Sequence, residues 1–121
     1  MVAFIVEHYG ENDDYPIESF LSNLPEQVKL KFNWLIKLLE EKGPNMPSQY
    51  CKKLTGTKLF ELICDYRRNT YRIFFFYHYN TIILLHGIIK KTKHTPVSDL
   101  ELSERRMKEW LKRKGLSHEE V

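Results

Sequence analysis

The sequence predicts a single α+β domain in the order β-α-α-β-β-β-α, with an antiparallel sheet packed by two N-terminal helices and a C-terminal helix. Three observations predict it: an apolar stripe at helical spacing early in the chain, three consecutive strand-like runs in the middle, and a basic amphipathic segment near the end. The 121 residues can bury one hydrophobic core and leave no room for a second. We expect one domain over residues 1–121, with a frayed tail at residues 115–121.

A strand and two helices are predicted in the first third of the chain. Val2–Tyr9 mixes aliphatic and aromatic residues, as strands do, and Pro16 suits the first turn of a short helix. For the longer helix that follows, Asn23 is the predicted N-cap, Glu26 stands at capping-box spacing, and Gly43 marks the end. The stripe that marks the core side of this helix is Val28, Phe32, Leu35, Ile36 and Leu39.

Three strands and a last helix are predicted in the remainder. Lys58–Tyr66, Thr70–Tyr79 and Thr81–Ile89 are strand-like runs separated by short turn-prone segments, so they should be antiparallel neighbours. The second and third runs are apolar on both pleat faces, which indicates that helices cover both sides of the sheet. Thr95 as cap and Pro96 as first residue open the last helix. Its apolar stripe is Leu100, Met107, Trp110 and Leu111.

Composition and missing motifs exclude several classes of protein. No apolar run approaches the roughly 20 residues that span a bilayer, and the chain begins acidic rather than with a basic leader. Cys51 and Cys64 fit neither a disulfide framework nor a metal site. The motifs of phosphate-binding loops, dinucleotide folds, zinc proteases and serine hydrolases are missing. We therefore expect a cytoplasmic domain that needs no metal or cofactor and contacts no membrane.

Charge is distributed unevenly along the chain. Residues 1–28 contain six acidic side chains and no lysine or arginine, whereas the remainder holds 19 basic and 10 acidic ones. Between Tyr50 and Thr95 nine basic residues face two acidic ones. A concentrated positive field attracts polyanions such as nucleic acid, although the same charges could simply solvate an exposed face. The acidic N-terminal segment is either a docking surface or an intramolecular counter-charge.

Arg72 is the most informative of the basic residues. Strand alternation places it on the same face as Phe74 and His78, inside a strongly apolar run. An unpaired buried charge is very costly, so this guanidinium must find an anionic partner or reach a cleft. Two interpretations stay open: an ion pair with Glu61 or Asp65 on the adjacent strand, or a guanidinium offered to a phosphate.

A lysine cluster follows the last strand. Lys90, Lys91 and Lys93 repel one another, which implies a counter-charge supplied by a phosphate backbone or an acidic partner protein. His94 stands beside them and could transfer a proton near neutral pH. His86, inside a strand, is more typical of a hydrogen-bonded core histidine than of a catalyst.

Four sequence pieces follow one another in the second half of the chain: Leu59–Leu62 (LFEL), Tyr71–Phe75 (YRIFF), Leu84–Ile88 (LLHGI) and Lys90–Pro96 (KKTKHTP). In this order and at this spacing they resemble the HigB-like, phage-derived branch of the RelE/ParE superfamily of bacterial toxins. The likeness covers roughly residues 16–114.

The resemblance implies a RelE-like fold and the toxin of a type II toxin–antitoxin system. Such a toxin enters the ribosome and cleaves mRNA without a metal, by attack of the RNA 2′-hydroxyl on the adjacent phosphorus. It implies that Arg72 stabilises the transition state, that Lys91 makes a second contact or assists proton transfer, and that His94 acts as acid or base. The residues expected to hold RNA are Arg67, Arg68, Lys90, Lys93 and Lys58.

The implied partners are the ribosome, mRNA and a cognate helix-turn-helix antitoxin of the HigA kind, with operator DNA bound only through that antitoxin. One departure stands out. Ile63 occupies a position that is usually basic in this branch, so the chain lacks that positive charge unless Arg67 or Arg68 swings in from the turn to replace it. Two alternatives follow. One is a ParE-like inhibitor of DNA gyrase without nuclease activity, and the other is an inactive phage-derived RNA-binding or interaction domain.

Overall fold

A computed structural model describes residues 3–91 and 94–116 of the chain. Within these residues it contains a five-stranded sheet and three α-helices, which confirms the predicted α+β class. None of the described helices is long and apolar enough to cross a membrane. In chain order the elements are β1 (Ile5–His8), α1 (Pro16–Ser22), α2 (Glu26–Lys42), β2 (Cys51–Lys53), β3 (Phe60–Tyr66), β4 (Asn69–His78), β5 (Thr81–Lys90) and α3 (Val97–Arg113).

The sheet has the strand order β1-β5-β4-β3-β2. β3, β4 and β5 are antiparallel neighbours, as predicted from the short turns that join them. β1 runs parallel to β5 and pairs with its first half only, from Ile5 opposite Thr81 to His8 opposite Leu84. The second half of β5 therefore extends past the end of β1.

The sequence does not predict β2, which lies in a segment interpreted as a polar loop. This strand pairs antiparallel with β3, from Cys51 opposite Leu62 to Lys53 opposite Phe60. Three residues are too few for apolar alternation to become visible in a sequence. Lysines are frequent on edge strands because their charge opposes further pairing, and β2 is such an edge.

The predicted helix caps are wrong. Asn23 ends α1 instead of starting α2, and its side-chain amide donates to the Ser19 carbonyl at 2.8 Å. α2 begins at Glu26 after Pro25, and α3 begins at Val97, without a side-chain cap bond in either case. In both helices a proline precedes the first helical residue and fixes the backbone there, so a capping side chain is not needed to start the helix.

Helices cover both faces of the sheet, as predicted. α1 and α2 bury one face, where the α2 stripe packs against Leu62, Ile73 and Phe75. α3 packs on the opposite face, where Met107 and Trp110 belong to a second core cluster. The sheet thus separates two core clusters within the one domain, where the sequence predicts a single core. The strand residues of that second cluster are Leu59, Phe76, Ile83 and Leu85.

α3 covers only part of its face. Its first turn reaches His86 through Asp99, and its last turns pack on Phe76 through Trp110. The helix thus runs from the middle of the sheet toward the end at which β4 finishes. Arg72, which pairs with Ile88 farther along β5 than His86, lies beyond the N-terminus of α3. This uncovered part of the sheet is where the candidate site lies.

Candidate functional site

Four cations converge at one end of the sheet, and we call this group the cationic end: Arg67, Arg68, Lys90 and Lys91. Arg67 and Arg68 form the turn between β3 and β4, while Lys90 ends β5 and pairs with Thr70 near the start of β4. Because β3, β4 and β5 are antiparallel neighbours, the β3–β4 turn and the end of β5 meet at the same end of the sheet. The structure thus brings together four of the residues that the sequence assigns to the site.

The cationic end is open to an external anion. Arg67, Arg68 and Lys91 are exposed, and Lys90 is half-buried. Among the residues that the structure describes, none of the four has a carboxylate oxygen within 4.0 Å. Like charges held this close repel one another, and a bound anion relieves that repulsion.

The remaining predicted site residues apart from Arg72 are Lys93, Lys58 and His94. Lys93 lies outside the described residues. Lys58 precedes β3 and therefore lies at the opposite end of that strand from Arg67, which corrects the prediction that grouped it with the strand-end cations. His94 is exposed in the segment between β5 and α3.

Arg72 forms an ion pair through its Nη1 atom with the carboxylate of Glu61. The two side chains are 16% and 6% exposed, so the pair is largely buried. The Nε donor of Arg72 is buried and has no hydrogen-bond partner among residues 3–91 and 94–116. Of the two interpretations that the sequence leaves open for Arg72, the structure shows the ion pair. The structure does not show the other interpretation, an unpaired guanidinium available to stabilise a transition state.

Ile63, at the position that is usually basic in the HigB-like branch, lies directly opposite Arg72 on β3 and is 6% exposed. Arg67 does not replace the missing charge. The turn that contains it follows Tyr66, three residues beyond Ile63, which is about 10 Å along a strand. Arg72 therefore faces an apolar side chain across β3 and is paired with an acid, and position 63 supplies no cation opposite it.

A histidine–aspartate pair anchors α3 to the sheet. The Nε2 atom of His86 donates to the Asp99 carboxylate at 2.7 Å, and its ring stacks on Phe74. Arg106 donates to the Leu85 carbonyl at 2.9 Å and lies 3.4 Å from the other ring nitrogen of His86. His86 is thus the hydrogen-bonded core histidine that its strand position indicates. Sequence reasoning missed its partners because they lie on a different element with no local spacing signal.

Parts of the acidic N-terminal segment contact the basic last helix. The indole of Trp110 donates to the Glu7 carboxylate. The guanidinium groups of Arg106 and Arg113 lie over the ring of Tyr9, at 5.6 and 5.1 Å from its centroid. These contacts join the segment to α3, but none of them pairs one of its carboxylates with a cation of that helix, so they do not choose between a docking surface and an intramolecular counter-charge.

The two cysteines are free thiols that are poor nucleophiles at neutral pH. Burial raises the pKa of the Cys51 thiol to about 11 and also raises the pKa of Cys64. Both thiols are therefore protonated at neutral pH, whereas nucleophilic and metal-binding cysteines act as thiolates. Residues 3–91 and 94–116 also contain no group of three or more histidine, cysteine or acidic side chains that could hold a metal ion.

Comparison with known proteins places the chain in a family. No curated protein matches it. A family model, described as phage-derived protein Gp49-like (DUF891), matches residues 19–108, which include the whole of α2, the four antiparallel strands and most of α3. The chain belongs to this Gp49-like family of phage-derived proteins, which is commonly toxin-like.

Proposed function

We propose that this protein is the toxin of a type II toxin–antitoxin pair, of the HigB-like branch, and that it cleaves mRNA on the ribosome. The observation that carries the proposal is the cationic end, where Arg67, Arg68, Lys90 and Lys91 converge without carboxylate partners among the described residues. Cations placed in this way bind the phosphates of an RNA backbone. Membership of a commonly toxin-like family supports the same conclusion.

The chemistry is attack of an RNA 2′-hydroxyl on the adjacent phosphorus, which forms a 2′,3′-cyclic phosphate and breaks the bond from phosphorus to the 5′-oxygen of the next nucleotide. The 2′-hydroxyl loses its proton to a base, and the leaving 5′-oxygen gains one from an acid. Negative charge builds up on the phosphorus oxygens in the transition state, so fixed positive charge at that point lowers the barrier. Lys91 is the proposed contact to these oxygens, and His94 is the proposed acid or base. Arg67 and Arg68, together with Lys90 and Lys93, hold the RNA on either side.

Arg72 takes part in this proposal through the donors that Glu61 leaves unused. A guanidinium has five N–H groups, and Glu61 is bonded to Nη1 while Nε has no partner. Arg72 lies on the same strand face as Thr70, the partner of Lys90, and therefore on the face that continues into the cationic end. Nε is buried, so an RNA phosphate engages this 16% exposed side chain only through its other donors, with Glu61 fixing the orientation of the guanidinium.

The decisive experiment is cleavage of a defined mRNA by the purified protein on programmed ribosomes, read by primer extension. We expect cuts that require ribosomes and that weaken in Lys91→Ala. The matched control is Lys112→Ala, which removes an exposed lysine from α3, away from the cationic end. An intact transcript and unaffected growth on expression would refute the proposal. Accumulated gyrase–DNA complexes with intact transcripts would replace it by the ParE-like alternative.

The proposal includes a partner. A helix-turn-helix antitoxin of the HigA kind, encoded beside the toxin, would neutralise it and would link the pair to operator DNA. Co-expression of the neighbouring open reading frame should therefore restore growth. A neighbour that encodes no such protein, or one that fails to restore growth, would contradict this part of the proposal.

A further inference from the structure

An exposed cluster of aromatic rings and a lysine lies on the outer side of α2. Trp34 is 46% exposed, and its ring meets Tyr50 edge-on at 5.4 Å between centroids. The ammonium of Lys31 lies 4.6 Å from the centroid of each ring. Tyr50 packs against the first hydrophobic core, whereas Trp34 belongs to neither core nor to the cationic end, so none of these explains why its indole is exposed to solvent.

A second pair of a cation and an aromatic ring lies nearby. The guanidinium of Arg67 stands over the Tyr66 ring at 5.3 Å. Both residues line a surface cavity of about 360 Å³, together with Gln27 of α2 and Tyr71 of β4. The cavity therefore joins the cationic end to the N-terminal half of α2.

The two clusters form one continuous surface. Gln27, Lys31 and Trp34 stand at i, i+4 and i+7, which places them along one side of α2. The Tyr50 carbonyl accepts a hydrogen bond from Ile63, three residues before Tyr66 and so about 10 Å from it along β3. We call this surface the α2 strip and define it by Gln27, Lys31, Trp34, Tyr50, Tyr66 and Arg67.

The chemistry of the α2 strip fits a single-stranded nucleic acid. Within the described residues neither Lys31 nor Arg67 has a carboxylate in ion-pair range, so both cations can meet an external anion. Exposed aromatic rings stack on bases, and neighbouring cations bind the phosphates between them. An acidic peptide would satisfy the cations but would leave the indole face of Trp34 without a planar partner.

We propose that the α2 strip binds single-stranded RNA, with bases stacked at Trp34 and Tyr66 and phosphates at Lys31 and Arg67. Arg67 belongs to both surfaces, so the RNA path continues from the cationic end onto the face of the sheet opposite Arg72. The inference rests on the proposed function in one respect, namely that RNA is the ligand of the cationic end.

The test is binding of a dye-labelled ten-nucleotide oligoadenylate RNA, read by fluorescence anisotropy and by tryptophan emission. Trp34 is one of two tryptophans, and the other, Trp110, is 5% exposed. We expect RNA to quench Trp34 and expect Trp34→Ala to weaken binding at least about fivefold, whereas Trp34→Phe retains a stacking ring and most of the affinity. Lys31→Ala should reduce the slope of log affinity against log salt by about 0.7.

The matched control is Lys29→Ala. Residues two apart on a helix project about 200° apart, so Lys29 lies on the other flank of α2 from Lys31. Affinity unchanged in Trp34→Ala and Lys31→Ala, emission that does not respond to RNA, or no binding of the oligonucleotide at all would each overturn the proposal. The proposal would also be overturned if Trp34→Ala kept its RNA affinity while the co-expressed antitoxin no longer restored growth, because the α2 strip would then be a docking surface for a protein.

Cleavage on programmed ribosomes, measured on the same variants, separates the two proposals. A protein that binds the oligonucleotide through the α2 strip but leaves mRNA intact refutes the nuclease and keeps the strip. A protein that cuts mRNA but binds the oligonucleotide equally well in every variant refutes the strip and keeps the nuclease.

Discussion

Replacing Arg72 by methionine should destabilise the protein far more than the loss of one surface charge would. Methionine keeps much of the apolar volume of the side chain and removes its charge, so the change isolates the ion pair. Glu61 is 6% exposed and has no other ion-pair partner among the described residues. The substitution therefore leaves a carboxylate that is neither paired nor reached by bulk water.

The expected magnitude follows from that burial. Removing one partner of a buried pair costs about 3–5 kcal/mol, because the remaining charge is uncompensated. The whole free energy of unfolding of a domain is about 5–15 kcal/mol, so the single substitution removes about a fifth of it or more. Replacing both partners, Arg72→Met together with Glu61→Leu, removes both charges and should recover most of the loss.

Urea unfolding of the wild type, the single variant and the double variant measures these terms, with the slope checked for two-state behaviour. A single variant within about 1 kcal/mol of the wild type would refute the reasoning. So would a double variant that is no more stable than the single one. The result also decides how toxicity data are interpreted: loss of toxicity in a single Arg72 variant reports folding, whereas a stable but non-toxic double variant places Arg72 in the chemistry.

Three further predictions follow from other contacts. Lys91→Ala should lower cleavage on programmed ribosomes about a hundredfold, since it removes one contact to the transition state, while Lys112→Ala should leave the rate unchanged. Asp99→Asn should lower the free energy of unfolding by about 1.5–3 kcal/mol, measured in urea, because it weakens the bond to His86 that holds the first turn of α3; an unchanged midpoint would contradict this anchor. With a pKa of about 11, Cys51 should react with iodoacetamide much more slowly below pH 9 in the folded protein than in urea; equal rates, followed by mass spectrometry, would contradict its burial.

The long elements could be predicted because each carries a strong period. The α2 stripe and the three antiparallel strands repeat over enough residues for helix and strand spacing to be distinguished. β2 could not be predicted, because three residues show no period and its pairing partner lies far along the chain. The prediction of Asn23 as an N-cap was wrong for a different reason. The residue stands between two helices, and a local signal does not say whether it ends the first or starts the second.

The candidate site could likewise be predicted only in part. The meeting of Arg67 with Lys90 follows from antiparallel strand direction, and the same reasoning, applied strictly, would have placed Lys58 at the far end. The sequence restricts the ion-pair partner of Arg72 to two acidic residues. It cannot choose between them, because the choice depends on which of them is buried in the folded protein. Glu61 is buried and Asp65 is exposed, and only the packed sheet makes that distinction.

The layout of charge explains how a chain with a formal net charge of only +3 can present an anion-binding surface. β1 forms one edge of the sheet, and the α2 strip adjoins β2 and β3 at the other edge. On β1, Glu7 accepts a hydrogen bond from Trp110 and His8 pairs with Glu18. Four strand spacings separate the edges by about 19 Å, and β5 continues for about 20 Å from Leu84, where β1 ends, to Lys90. Both distances exceed twice the Debye length of about 8 Å at physiological ionic strength, so Glu7 on β1 is screened from the cationic end and the α2 strip. A polyanion approaching that side of the molecule therefore meets the local excess of basic charge rather than the small net value.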